Sequence, residues 1–366
     1  MSEIRVLHIS LTRSLGGIAA YQKNLLANVD RNKYKFEYVT TYPKAMLIPY
    51  LEEMGCKVHY LPPKKRFVSL FIQLYKLMKN GNFNAVHIHK NSCASPIAFF
   101  AAKLAGVEKI IAHAHSASPT VGKFVVILHY IFRPFVRNIS TVHLACSETA
   151  SDWMFGKKHH AQIVNNGIDL KQFAFDEAVR SEVRKELGFA DEPVFGHVGN
   201  FYYQKNHRFM VEIMAEVKKI NPKAKLMFVG RGDSMEEIRQ YADKLGVSDN
   251  IIFLGSRSDV NRLYQAMDTF LMTSFSEGFC IAGLEAQAAG LPWLTSDVIP
   301  EEVILSDEVY TMSLNKSARE WAEKLIEIAE KSKRKNNTQR ISEAGYSSEE
   351  SAKKIELIYQ QKEQKT

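Results

Sequence analysis

The sequence predicts an α/β protein of two doubly wound domains, each a mostly parallel sheet with helices on both faces. Three observations carry this. Short apolar runs of strand length alternate with longer stretches of helical periodicity along the whole chain. The chain opens with a strand–Gly-Gly–helix unit, Arg5 to Ser10, then Gly16-Gly17, then a helical stretch from Ala19 to Val29. Its 366 residues suit two cores, since one domain commonly holds about 100–200.

In the first half, the strand RVLHIS and its glycine turn bring backbone close to any ligand at the sheet edge. The turn is not G-x-G-x-x-G, and the second strand, Lys35 to Thr40, ends in Thr41-Tyr42 without an acid for a ribose. A dinucleotide site is therefore disfavoured. Val58 to Leu61 is a short strand that Pro62-Pro63 ends. Phe67 to Lys79 has helical spacing of Leu70, Leu74, Leu77 and Met78. Ala85 to His89 is a strand, Ser95 to Leu104 a helix and Lys109 to His113 a strand. His113 and His115 then stand where a parallel sheet presents its carboxyl edge, the side on which such sheets bind ligands. A hydrogen-bonded, partly buried histidine is the alternative, and it is favoured for His87, His89 and His113. Val121 to Arg137 (VGKFVVILHYIFRPFVR) is apolar and aromatic but carries Lys123, Arg133 and Arg137. It reads either as a helix lying on a membrane surface or as a buried helix ending near Pro134. Lys64-Lys65-Arg66-Phe67 opens a second stretch with the same ambiguity. Val142 to Ser147 is the next strand.

The charged stretch Lys171 to Asp191 reads as connector plus helix, with the domain boundary between Leu170 and Glu192. Pro193 to Gly199 opens the second domain as a strand. The loop after it, Asn200 to His207, carries Lys205, a cation able to neutralise a diphosphate or simply to face water. Lys225 to Gly230 is a strand, Arg231-Gly232-Asp233 a tight loop, Met235 to Leu245 a helix and Ile251 to Gly255 a strand. Ser256 to Val260 caps a helix to Met267. Phe270-Leu271-Met272 is a buried strand, Thr273 to Gly278 a polar turn and Cys280 to Ala289 a helix. Gly290 is its C′ stop, and Pro292 prevents continuation. The first N–H groups of that helix have no internal partner, so the strand–turn–helix forms an anion site. Glu277 in the turn and Glu285 in the helix stand at E-x7-E spacing. On one uninterrupted helix they would lie about 80° apart; with Glu277 in the turn, both reach one cleft. A further βα pair is expected to about Leu305, a helix from Ser317 to Ser332, a solvated basic run from Lys331 to Lys335 and a last helix from Ser348 to Gln361.

Composition narrows the class. The chain is 46% hydrophobic and 24% charged, ordinary for a globular protein. No segment reaches the roughly 18 apolar residues of a membrane span. The start, MSEIRVLHIS, enters a strand without a basic n-region or an apolar h-region, which predicts no signal peptide. Cys56, Cys93, Cys146 and Cys280 lack metal or disulfide spacing and fit a reducing cytoplasm. A net charge of +8 favours anionic partners without choosing among nucleic acid, anionic lipid and a nucleotide-linked substrate.

The segment SFSEGFCIAGLEAQAAGLPWLTSD resembles the donor-binding signature of family 4 retaining glycosyltransferases of the GT-B fold. The resemblance runs over nearly the whole chain and is closest to the branch that builds bacterial capsular and exopolysaccharides. It implies two Rossmann-like domains facing each other across a cleft. An acceptor domain spans 1–170, a nucleotide-sugar domain 171–347, and the C-terminal helix, 348–366, packs back on the first. The segment NGID, Asn166 to Asp169, looks like the family's exit from the first domain. The donor is then a UDP-type sugar and the acceptor a lipid-linked or oligosaccharide chain, with no nucleic acid partner.

By resemblance Glu277 holds the transferred sugar's hydroxyls, Glu285 the ribose, His115 the donor sugar and Lys205 the diphosphate. Gly16, Gly17 and the amides near Phe279, Cys280 and Ile281 complete the phosphate site. The loops at Arg231 and Ser256 line the base pocket. Asn200 stands where the family commonly has arginine, which leaves one phosphate contact open to Arg208 or Arg231. With no metal-ligand cluster in the sequence, neither metal nor cofactor is expected; cations and amides stabilise the departing diphosphate. The resemblance implies retention by front-face attack. A cytoplasmic protein, peripheral on the inner membrane face, follows from the two basic-apolar stretches. The rival readings are a catalytically silent GT-B subunit, which Asn200 favours, and a nicotinamide oxidoreductase, which the missing fingerprint opposes.

Overall fold

The computed structural model describes residues 3–9, 17–115, 122–277 and 279–361. They divide into two compact units, Met1–Gly167 with Gly345–Thr366, and Ile168–Ala344.

The first unit is built on seven strands: β1 (Ile4–Ile9), β2 (Tyr34–Thr40), β3 (Lys57–Tyr60), β4 (Ala85–Lys90), β5 (Lys109–Ala114), β6 (Val142–Ala145) and β7 (Gln162–Ile163). All pair in parallel, in the order β3-β2-β1-β4-β5-β6-β7. Covered on both faces, these strands read as near-continuous apolar runs. Leu7, Val86, Ile88 and Ala112 enter one core with Phe99 and Met154. Val6, Tyr38, Ala85 and Ile111 enter the other, against the helix Gly17–Asn28 and the last helix, Ser348–Gln360. That helix is pinned at its C-terminal end by Lys109, whose buried ammonium donates to the carbonyls of Ile358, Tyr359 and Gln361. Gly167 in the NGID segment is required by close approach: a Cβ there would lie 2.5 Å from the amide nitrogen of Ser348.

The second unit repeats the plan with six strands: β8 (Val194–Val198), β9 (Lys225–Val229), β10 (Ile251–Phe253), β11 (Thr269–Met272), β12 (Trp293–Ser296) and β13 (Val309–Met312), again all parallel, in the order β10-β9-β8-β11-β12-β13. In each sheet the order reverses beside the first strand, between β1 and β4 and between β8 and β11. At such a reversal a parallel sheet opens a crevice at the carboxyl ends of its strands.

Four expectations need correction. The apolar helix does not end near Pro134 and is not buried. It runs Lys123–Ile139, and Phe124, Ile127, Tyr130, Ile131 and Phe135 are exposed while only His129 and Val136 are buried. Pro134 is itself exposed, and the helix continues past it to Ile139. After β12 the chain makes only a short 3-10 turn, Glu301–Val303, because Pro300 fixes its start. It then adds β13, an edge strand absent from the sequence reading. The run Lys331 to Lys335 is not simply solvated. Arg334 donates to the carbonyls of Ala289, Tyr264, Gln265 and Met267, and burial pushes its pKa down to about 9. It thereby binds the C-terminal ends of two helices, where carbonyls lack partners. Lys335 pairs with Glu308 at 2.6 Å.

Candidate functional site

The crevice of the second unit gathers most of the residues singled out in the sequence. Lys205 leaves β8 in the loop Gly199 to Asn206, and Glu277 leaves β11 in the turn Thr273 to Cys280. Backbone zips the two loops together: Phe275 N donates to Gln204 O at 2.8 Å, and Thr273 Oγ1 donates to Asn206 O at 3.0 Å. Asn206 adopts a left-handed φ of 53°, which turns the chain directly into the helix His207–Ile220.

That arrangement sets Lys205 Nζ 2.7 Å from Glu277 Oε1. The side chains are 17% and 6% exposed, so the pair is largely withdrawn from water. Ser274 Oγ donates to the same carboxylate oxygen at 2.5 Å, and Ser274 is held in turn by Ser296 Oγ on its carbonyl. An ammonium has three donors. Bound to Glu277 by one, Lys205 has, among the described residues, two left for an incoming anion.

The helix after the turn runs Ile281–Ala288, and its N-cap is Cys280, whose sulfur accepts from Gly283 N at 3.3 Å. Burial first, then the charge of Glu277, pushes the Cys280 thiol up to about 12, so it is a neutral cap and not a nucleophile; Lys205 and Glu285 also act on it. One sulfur thus lies within the field of all three charged residues of the site. Of the helix-start amides, Ile281 N is engaged with Phe279 O at 3.1 Å. Gly283 is dictated by packing, since a Cβ there would stand 2.2 Å from the ring of Trp293. Gly290 does stop the helix, at φ 69°.

Glu285 is half-buried on this helix and accepts from Tyr264 Oη at 3.0 Å; the same hydroxyl lies 3.0 Å from Ala282 O. Tyr264, on the helix Val260–Ala266, is fully buried, and desolvation and then the charge of Glu285 hold its phenol protonated. Sequence reasoning passed over this residue, although its place on a helix face beside the expected base loop was a signal. It also passed over Tyr203 and Phe275, which flank Lys205 and Glu277 and stack at 5.2 Å on the exposed rim.

Asn200 is half-buried in a loop locked to its neighbour: Phe201 N donates to Arg231 O at 3.0 Å, and Ser234 Oγ to Phe201 O at 2.7 Å. Arg231 is exposed. Arg208 is engaged elsewhere, 3.8 Å over the Tyr241 ring and 3.7 Å from Glu212.

In the first unit, Gly17 is the exposed first residue of its helix, while Gly16 lies outside the described residues. His115 sits just beyond β5, with its amide donating to Lys90 O at 3.0 Å and Nε2 2.9 Å from His89 Nδ1. Burial pushes its pKa down to about 3, so the ring is neutral. Lys90 ends β4 beside the crevice, and burial with Lys64 nearby pushes it down to about 8; nothing in the sequence distinguished it.

A family model described as Glycosyl transferases group 1 matches residues 179–363, and one described as Glycosyltransferase Family 4 matches 15–172. The chain is 29% identical to "Putative glycosyltransferase EpsF" of Bacillus subtilis, covering 98% of this chain and 97% of that protein. It is 26% identical to a UDP-Gal:alpha-D-GlcNAc-diphosphoundecaprenol alpha-1,3-galactosyltransferase of Escherichia coli, over 84% of this chain and 83% of that one. Among solved structures, Anabaena Alr3699/HepE in complex with UDP-glucose superposes with a TM-score of 0.78 at 17% identity, covering 97% and 99% of the two chains. WaaG, a glycosyltransferase involved in lipopolysaccharide biosynthesis, gives 0.70 at 17% identity over 98% and 100%.

Proposed function

The chain belongs to the group 1 glycosyl transferases and has the GT-B fold, and from that premise we propose that it moves a sugar from a UDP-sugar to a lipid-linked glycan. The observation that carries the reading is the Lys205–Glu277 pair in the crevice between β8 and β11. A cation poised there meets the diphosphate, and an acid beside it meets the hydroxyls of the sugar attached to that diphosphate.

Each side chain then has one task. Lys205 neutralises charge that grows on the leaving diphosphate as the glycosidic bond breaks, an interaction that strengthens toward the transition state. Glu277 accepts hydrogen bonds from the sugar and orients Lys205. Glu285, oriented by Tyr264, accepts from the ribose hydroxyls. His115, with its ring held neutral by burial, keeps the contact with the donor sugar that the family resemblance gives it. Attack from the face that the leaving group vacates retains configuration. The scheme is written without a metal, with Lys205 carrying the charge opposite the diphosphate.

The UDP and lipid-linked assignments are supported by the activity for which the Escherichia coli relative is named, and a role in exopolysaccharide assembly rests on the family branch that the sequence resembles. Contact with an anionic membrane is supported by the exposed apolar face of Lys123–Ile139 and by Phe67, Val68 and Ile72 beside Lys64, Lys65 and Arg66. Among the described residues no helix is long and apolar enough to cross a membrane. A panel of nucleotide-sugars, read by transfer to undecaprenyl-diphosphate-linked sugar and by slow hydrolysis without acceptor, tests the reading. Turnover of one UDP-sugar above the rest is expected. A folded protein that binds UDP yet turns over no donor would establish the silent-subunit alternative.

A further inference from the structure

Five histidines lie on one face of the first unit's sheet: His8 on β1, His87 and His89 on β4, His113 on β5 and His115 just after it. Strand alternation sends all five toward the core face that Tyr21 and Tyr359 cover. Their contacts form one unbranched chain. His115 Nε2 meets His89 Nδ1 at 2.9 Å, His89 Nε2 meets His8 Nδ1 at 3.1 Å, and His8 Nε2 meets Tyr359 Oη at 3.5 Å. Tyr359 Oη meets His87 Nδ1 at 2.7 Å, and His87 Nε2 meets His113 Nδ1 at 3.0 Å. The two end atoms, His115 Nδ1 and His113 Nε2, have no hydrogen-bond partner among the described residues, and their rings lie 4.1 Å apart.

Burial holds all five rings neutral, His8 and His115 down to about 3 and the others well below the usual imidazole range. A neutral imidazole donates from one nitrogen and accepts at the other. In a head-to-tail chain, the tautomer of one ring therefore fixes the next. Tyr359 has one proton to give. Given to His87 at 2.7 Å, a normal O–H···N length, it leaves Oη to accept from His8, and every ring is then the Nε2–H tautomer. The opposite sense spends the phenol proton on the 3.5 Å contact and makes every ring Nδ1–H. The far end pulls the other way: Asn166 adjoins His115, and its Oδ1 is unpartnered among the described residues.

We propose that Tyr359 is a positioning residue which, through this histidine chain, sets the tautomer of the buried His115 ring and leaves its Nδ1 without a proton. The role given to His115 rests on the transferase reading; the coupling of tautomers does not. Two trios, His8–His87–His89 and His89–His113–His115, also have ligand atoms within 4.8 Å of one another, so a bound metal ion is the competing use of the same rings.

The experiment is two-bond 1H–15N spectroscopy of the full chain labelled at histidine, which reads each ring's tautomer directly. In the wild type all five rings are Nε2–H. In Tyr359→Phe, His8 Nε2–H loses its acceptor, so His8, His89 and His115 flip to Nδ1–H while His87 and His113 stay. His87→Leu leaves the phenol proton only His8 as acceptor and flips the same three. Transfer in Tyr359→Phe falls roughly tenfold, the scale of one lost hydrogen bond, with UDP affinity unchanged. Mixed tautomers in the wild type, or unchanged His89 and His115 in folded Tyr359→Phe, would overturn the chain. One equivalent of zinc in the purified protein by mass spectrometry would replace it with a metal site. A flip without loss of transfer would overturn the role of His115. Absence of transfer in the wild type with the flip intact would fail only the transferase reading.

Discussion

Replacing Lys205 by alanine leaves a carboxylate that is 6% exposed with, among the described residues, one neutral donor, Ser274. Removing one member of a buried ion pair costs about 3–5 kcal/mol. The remaining serine bond and the 17% exposure of Lys205 soften this, and we expect about 2–4 kcal/mol of lost stability. Glu277→Gln keeps the Ser274 contact and removes the charge, for about 1–3 kcal/mol. In Lys205→Ala/Glu277→Gln neither charge is left stranded, so the double variant should lose at least 1 kcal/mol less than the sum. Urea unfolding of the four proteins closes the cycle. Turnover is expected to separate from stability: Lys205→Ala should fall about a hundredfold or more, as when a donor to a developing anion is lost. Additivity within about 0.5 kcal/mol would show that the pair is not coupled. Full transfer activity in Lys205→Ala would remove Lys205 from the diphosphate site altogether.

Glu285→Ala should weaken UDP binding by about 1–3 kcal/mol, and Tyr264→Phe by about 1 kcal/mol through loss of orientation; unchanged affinities by calorimetry would discard the ribose role. The five chain histidines have folded pKa values below the unfolded value of about 6.5. Their stability contribution is therefore complete above pH ~6.5 and is lost as pH falls toward the folded values. Each ring contributes about 1.4 kcal/mol per pH unit in that window, roughly 7 together, so scanning calorimetry should show the first unit melting far earlier at about pH 5.5 than at pH 7.5; a flat profile would contradict the buried neutral rings. Transfer should survive EDTA, and loss rescued by magnesium would reveal a metal step. Flotation with phosphatidylglycerol vesicles should be weakened by salt and by Lys123→Glu, Arg133→Glu and Arg137→Glu together; equal recovery on neutral vesicles would refute surface docking.

Much of the architecture was legible because its signals are local. Alternation of apolar strands with helical spacing depends on near neighbours in the chain, so the β8, β9 and β11 segments and the helix stop at Gly290 could be read directly. The E-x7-E spacing across a strand–turn–helix placed Glu277 and Glu285 at one sheet edge for the same reason. What tertiary structure decided was pairing. Nothing near Lys205 in sequence says that its ammonium lies against Glu277, because two loops must first be brought side by side by the parallel order of β8 and β11. Tyr264 became the partner of Glu285 only when a separate helix packed beside it. Cys280 turned from a phosphate-site candidate into a sulfur cap, and Arg334 from a solvated charge into a clasp on two helix ends, through burial that composition cannot convey. His8, His87, His89, His113 and His115 lie in three separate segments and look like unrelated polar residues. Parallel register puts them on one face, and a tyrosine from the last helix joins them, because hydrogen bonds depend on distance in space and not on separation along the chain.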